Sequence, residues 1–403
     1  MKEVFKIFWR EPRSVQDAKY KRHITFLELF YDLAFVVFIS RTNHIVINDW
    51  SGHGAMSYAP IIVIAYISWM NGSLYYDLHG NNDIRTRFFM FLQMFFIGLI
   101  ARFTHHVLTD DYIYFAFSYG ALQLILSRLW YSTGIKDENH RLVATPYSFT
   151  FLLSSIILIV SIFIPEKLRL LTIWVSIIIT GSAPFFSYIK NHRSQNKSTF
   201  FTDYKISETL VERLGIFLII ILGECLVSLV SSLESVQAFT LNEIEYYVIG
   251  FLFMVLAWSN YYEYSNNRNV NHDRKSTILW YFGQLFLVIG YSMMGIALYY
   301  LGDILMFDKV IEKFNYALGL STTFILLSSA IITLSLKKDK CGFGFVGNQI
   351  SILLGTSGII SAVITILNPS TYYAMILQLI AFSIPVVVGF TYNITVEAKR
   401  KCE

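Results

Sequence analysis

The sequence predicts an all-α polytopic membrane protein, with about twelve transmembrane helices arranged as two parallel six-helix repeats. Three observations carry that expectation. The 403 residues are 55% hydrophobic and 17% aromatic but only 15% charged, where a soluble chain carries about a quarter charged residues. The apolar runs recur along the whole chain and are continuous, giving a mean hydropathy of +0.51; a β-barrel would alternate instead. The two halves also echo each other in order.

The apolar windows place helices at 24–46, 56–78, 85–107, 112–133, 142–164 and 168–190, then at 208–232, 244–266, 277–301, 311–336, 344–367 and 372–394. Each is long enough to cross a hydrocarbon core. The short connections 165–167 and 368–371 read as tight hairpins, broken by Pro165 and Pro369, because proline ends helices. The organisation is an N-terminal segment 1–23, a first repeat 24–190, a loop 191–207, a second repeat 208–394 and a tail 395–403.

Lysine and arginine set the expected orientation. With the N-terminus in the cytoplasm, 24 of them fall on the cytoplasmic side and 4 outside (Lys167, Arg169, Lys309 and Lys313), while Arg41, Arg102, Arg128 and Arg213 lie within spans. That bias follows the positive-inside rule and puts both termini in the cytoplasm. The repeat rests on ordered echoes: Arg22-x3-Phe26 with Arg213-x3-Phe217, Ser73-Leu-Tyr-Tyr-Asp77 with Ser259-Asn-Tyr-Tyr-Glu263, Gln93 with Gln284, Phe115-x4-Gly120 with Phe314-x4-Gly319, and Pro184 with Pro385. Six helices per unit make both units enter from the same side, as parallel repeats do.

The chemistry-bearing residues begin in the first helix, where Glu28 and Asp32 stand one turn apart in an apolar stretch. An ionised group at mid-bilayer costs roughly 2.5–3.5 kcal/mol, so both acids are expected to face protein, an ion or water rather than lipid. The seventh helix carries Glu208, Glu212, Arg213, Gly215, Gly223 and Glu224; its glycines suit close helix approach. Acids from the two halves, Asp32 and Glu224 above all, are expected at the inter-repeat seam. A packing network pairing Glu28 or Asp32 with Arg102 or Arg128 is the competing account. Arg102, His105, His106, Asp110 and Asp111, with His44 nearby, form an outer cluster whose simplest reading is an interfacial polar cap. Tyr75, Tyr76, Asp77, Tyr261, Tyr262 and Glu263 read as aromatic-belt anchors.

Cys225, Cys341 and Cys402 have neither metal spacing nor a disulfide framework, and read as reduced structural thiols. No nucleotide-binding glycine loop, His-Glu-x-x-His pair or serine elbow is present. No cofactor or metal is expected, and no nucleic-acid partner: the basic loop 191–207 is accounted for by anionic headgroups. No cleavable signal peptide is visible.

The run Arg22-His-Ile-Thr-Phe-Leu-Glu-Leu-Phe-Tyr-Asp-Leu-Ala-Phe-Val36 resembles the opening signature of the bacterial low temperature requirement protein A family. Glu212-Arg-Leu-Gly-Ile-Phe-Leu-Ile-Ile-Ile-Leu-Gly-Glu224 is similar to that family's central motif. The likeness covers roughly residues 20 to 395. It implies an integral membrane protein linked to growth in the cold, and motif membership for Arg22, Phe26, Glu28, Asp32, Glu212, Arg213, Gly223 and Glu224, with no reaction attached. A fainter likeness is to the endosomal and lysosomal potassium channels of two six-helix repeats, whose Arg-x3-Phe-Ser-Asp opening appears here as Arg22-x3-Phe26-Leu27-Glu28; Leu and Glu replace Ser and Asp.

Three functions fit. The first is an ion- or proton-coupled transporter or channel using the buried acids. The second is a membrane enzyme or lipid-handling protein acting in the cold. The third is a structural or sensory protein. The partners expected are membrane lipids and a cation or proton, and an oligomer is compatible with the pattern.

Overall fold

The structure is a computed structural model that describes residues 10–14, 23–107, 111–138, 140–193, 206–234, 241–265, 268–306, 311–337 and 343–402. Among the described residues it is helical apart from one isolated bridge, Val270 with Leu336. The chain divides into two compact units, Met1–Leu210 and Val211–Glu403.

In the first unit the helices are α1 (Phe26–Asn48), α2 (Gly52–His79), α3 (Ile84–Phe103), α4 (Tyr112–Lys136), α5 (Arg141–Ser161), α6 (Glu166–Gly181) and α7 (Ala183–Arg193). Their starts follow local chemistry. Thr25 and Glu28 form a reciprocal capping box at α1: the Thr25 hydroxyl accepts from the Glu28 amide, and the Glu28 carboxylate accepts from the Thr25 amide at 2.9 Å. Ser51 caps α2, and Asp83 caps α3. Such caps satisfy amides that have no partner inside the helix. Thr25→Ala is therefore expected to lower stability by about 1 kcal/mol, read as an earlier thermal transition of the solubilised protein. Pro165 precedes α6, and the helix break at Ser182 falls beside Pro184.

The second unit holds α8 (Glu208–Glu234), whose first turn precedes the division, then α9 (Leu241–Tyr264), α10 (Arg274–Met306), α11 (Ile311–Ser335), α12 (Phe343–Leu367) and α13 (Thr371–Cys402). Between α12 and α13, Asn368 adopts φ 43°, a left-handed conformation that asparagine tolerates at a helix end. Asn315 of α11 donates to the Asn368 side chain at 3.0 Å and to the Pro369 carbonyl at 3.1 Å. Pro385, expected to interrupt the last helix, stays inside α13. Its carbonyl accepts from the Tyr264 hydroxyl of α9, so the site is held by a neighbouring helix.

Many of the same helix neighbours recur in the two units. In the first, α1 packs on α2 and α3, α3 on α4, α4 on α5, α5 on α6 and α7, and α2 on α6. In the second, α8 meets α9 at Gly215 against Tyr261, and α10 through Cys225 Sγ on the Tyr291 carbonyl. Further on, α10 packs on α11, α11 on α12, α12 on α13, and α9 on α13.

The surface is apolar where a water-soluble fold would be charged. Large apolar side chains are exposed along the helices, Phe149, Ile366 and Phe95 among them, while serine, threonine, glutamine and tyrosine share the interior with aliphatic side chains. That is the pattern of helices facing lipid and packing through small and polar groups. Nine helical stretches among the described residues are long and apolar enough to cross a membrane. The expected spans in α2, α4 and α9 fall outside that set. All three helices are long, and they carry much of the buried polar surface: Ser68 and Asn71 in α2, Gln123 and Ser127 in α4, Asn260 in α9.

Candidate functional site: the polar interior of the first unit

Asp32 lies in the second turn of α1, about 9 Å along the axis from the helix start at 1.5 Å per residue. It is fully buried and accepts a 2.8 Å hydrogen bond from the Trp69 indole of α2. The neighbouring residue Tyr31 points into a second network. Its hydroxyl donates to Gln93 Oε1 of α3 at 2.8 Å, and Gln93 Nε2 donates to the Tyr76 hydroxyl at 2.6 Å. Gly72 makes the approach of Tyr31 to α2 feasible: a Cβ there would stand 2.1 Å from the Tyr31 hydroxyl oxygen.

A third polar group lies between α2, α4 and α6. The Tyr119 hydroxyl faces Ser68, Gln123, Ser176 and Thr180. Ser68 Oγ, Tyr119 Oη and both polar atoms of Gln123 are buried, close to one another but without hydrogen bonds of good geometry. Ser176 is itself bonded to Ser154 at 2.6 Å. Buried polar atoms are almost always bonded to protein or water, so these atoms stand out within the interior of the first unit.

At the end where α1 begins, Arg10–Ser14 runs across the helix ends. The Arg10 amide donates to Asp83, the Arg13 amide to the His79 carbonyl at 3.1 Å, and Ser14 to Asp137 at 3.3 Å. His79 Nδ1 is 2.8 Å from the Arg13 carbonyl, and His140 Nδ1 is 2.8 Å from His79 Nε2. A carbonyl only accepts, so His79 Nδ1 carries the proton; the neutral His79 Nε2 then accepts from His140 Nδ1–H. Both rings lie just beyond the expected spans. Burial drives His79 down to about 4, against the Arg13 carbonyl and Asp137, which favour its charged form. His140 is also pushed well down, by burial first and then by His79.

The expected site residues divide sharply. Asp32 and Glu28 are buried, but Glu28 stands in the first turn as a capping residue, shallower than the mid-helix place expected for it. Arg213 is enclosed and Glu224 half-buried. Phe26, Glu212 and Gly223 are exposed, and a Cβ on Gly223 would meet nothing within 4 Å. Gly215 admits a tyrosine ring rather than a helix backbone. Arg102 and Arg128 are exposed, which takes them out of the polar core expected for them: each sits on the outer side of its helix. Arg22 and Asp110 lie outside the described residues, while His105 and Asp111 are exposed. Among the described residues no three histidine, cysteine or acidic side chains are grouped to hold a metal.

Tyr75, Tyr76 and Tyr261 are buried, correcting their reading as belt anchors; Tyr262, exposed and stacked on Trp258, fits it. The groups missed in the sequence, Trp69, Ser68, Tyr119, Gln123 and the two histidines, have their nearest polar neighbours in other helices and leave no local pattern. Thr25-x-x-Glu28 was the exception, since that spacing is a capping signature.

The model of the bacterial low temperature requirement A protein (LtrA) family matches residues 23–391, nearly the whole chain. The chain belongs to this family. Comparison with curated proteins finds no match, and comparison with solved structures finds none either. The matched residues include the Asp32 helix, the Tyr119 group and α8, so the polar interior lies within the region that defines an LtrA protein.

Proposed function

We propose that this LtrA protein moves protons or small cations across the cell membrane, with Asp32 as the group that loads and unloads. The observation that carries the reading is the polar interior of the first unit, where the buried Asp32 carboxylate is bonded to Trp69 of α2 and the adjacent Ser68 belongs to a group of buried polar atoms shared with Tyr119 and Gln123 of α4. A carboxylate at membrane depth is costly to keep, and apolar packing serves a purely structural role as well or better. Water or an ion entering the Tyr119 group would satisfy those atoms. The helix neighbours that recur in the two units support a pair of parallel six-helix repeats with twelve crossings, α2, α4 and α9 being the more polar of them. The lysine and arginine bias supports a cytoplasmic side for both termini and for the His79–His140 end.

Full-length protein in liposomes is expected to pass protons or monovalent cations down an imposed gradient. Asp32→Asn keeps the shape and an acceptor for Trp69 while removing the charge, and is expected to cut flux about tenfold or more. Equal flux in both forms, or none in the wild type, refutes the reading.

A further inference from the structure

Two arginines stand at one height on neighbouring helices of the first unit, Arg41 on α1 and Arg102 on α3, and both are exposed. The helices run parallel. At their starts Thr25 and Phe26 share a cleft with Arg87 and Phe91, and at the far end of α3 the short turn Thr104–His106 also packs on α1. The Tyr31–Gln93 hydrogen bond sets the level of one helix against the other. Arg41 lies ten residues beyond Tyr31 and Arg102 nine beyond Gln93, so their heights differ by about 1.5 Å. Among the described residues neither guanidinium is paired with an acid; Arg102 lies over the Phe103 ring at 5.7 Å.

The 20 residues of α3 span about 30 Å, the thickness of a hydrocarbon core, and Arg102 is the last but one of them. The pair therefore sits at the membrane boundary remote from the His79–His140 end. Toward the membrane centre each arginine continues into an exposed apolar column, Val37, Leu33 and Phe30 on α1, Phe95 and Phe91 on α3. Gly98 leaves a notch in the second column one turn from Arg102, since a Cβ there would meet nothing within 4 Å.

We propose that Arg41 and Arg102 together hold the phosphate of one anionic glycerophospholipid, whose chains lie along these two columns and across Gly98. Guanidinium suits phosphate because its donors are paired and charge-assisted. An arginine that faces hydrocarbon without an anion is costly, and reaching a boundary phosphate offsets that cost. Two fixed cations on one phosphate leave a positive charge over. A headgroup without an ammonium is therefore favoured, because choline or ethanolamine would add to the excess. The apolar columns select the lipid over its free headgroup. This inference does not rest on ion movement.

The test titrates delipidated full-length protein in detergent with dioctanoyl phosphatidylglycerol, phosphatidylcholine, phosphatidylethanolamine or soluble glycerophosphoglycerol, and counts bound lipids by native mass spectrometry. One phosphatidylglycerol is expected to bind about tenfold more tightly than the zwitterionic lipids. Arg41→Gln and Arg102→Gln, both on exposed side chains, are each expected to weaken that same lipid about fivefold, and the double substitution to abolish the preference. Equal affinity for the three lipids would overturn the proposal, as would a preference that survives the double substitution. Two retained lipids, of which each single variant loses one, would show that the arginines hold separate lipids and would overturn it too. So would binding of glycerophosphoglycerol as tight as that of the lipid.

Discussion

Gly72→Ala is expected to destabilise the protein by about 3 kcal/mol. The added Cβ would stand 2.1 Å from the Tyr31 hydroxyl oxygen and 3.4 Å from Gln93 Oε1. Tyr31 has little room to yield: it is fully buried, with the Phe35 ring at 5.1 Å and the Tyr76 ring at 6.0 Å. Overpacking of this kind costs about 1–3 kcal/mol, and losing the Tyr31–Gln93 bond leaves a buried acceptor short at about 1–3 more. Gly98→Ala provides the contrast. A Cβ there meets nothing within 4 Å, so helix propensity alone acts, in the stabilising direction and by under about 1 kcal/mol. Thermal unfolding of the two variants in one detergent should separate them clearly; equal transitions would show that the Tyr31–Gln93–Tyr76 network is not the rigid element described.

The second large effect is pH-dependent. His79 is held near 4 in the folded protein by burial, against its ordinary 6.5. Between those values the unfolded chain binds a proton that the folded one refuses, so stability rises with pH across the window. It is complete above about 6.5 and is lost progressively as pH falls toward 4, a change of about 3 kcal/mol. Protonating His79 also turns its Nε2 into a donor, so His140 Nδ1 must switch from donor to acceptor across the 2.8 Å contact. Asp137, Arg13 and Arg85 are the charged groups that act on His79 from neighbouring segments, the first favouring its charge and the two arginines opposing it. His79→Gln is expected to flatten the decline between pH 7 and pH 5. An unchanged slope would mean that the pair does not titrate with unfolding.

Much of the architecture was readable because it depends on local composition. Continuous apolar runs mark helices, and Pro165 and Pro369 mark the breaks on either side of which the chain reverses. That Asp32 avoids lipid followed from transfer cost alone, and the fully buried side chain agrees. What could not be read is which face of each helix turns inward. These helices are apolar nearly all round, so Arg102 and Arg128 looked like core groups when they are exposed, and Tyr75 and Tyr76 looked peripheral when they are buried. Pairings such as His79 with His140, 61 residues apart, or Tyr31 with Gln93, 62 apart, arise only when helices pack. The Tyr119 group was invisible for the same reason: serine, threonine and glutamine scattered over α2, α4 and α6 carry no spacing that marks them as neighbours.

The most direct test of the central claim is the reactivity of position 32 from the aqueous phase. In a background with Cys225, Cys341 and Cys402 replaced by serine, Asp32→Cys is exposed to a membrane-impermeant thiol reagent in right-side-out and inverted vesicles. If Asp32 exchanges its ion with water through the protein interior, the cysteine reacts from at least one side, and a shift in the imposed ion gradient changes the rate. A cysteine that resists the aqueous reagent from both sides, yet reacts with a lipid-soluble maleimide, would contradict the account.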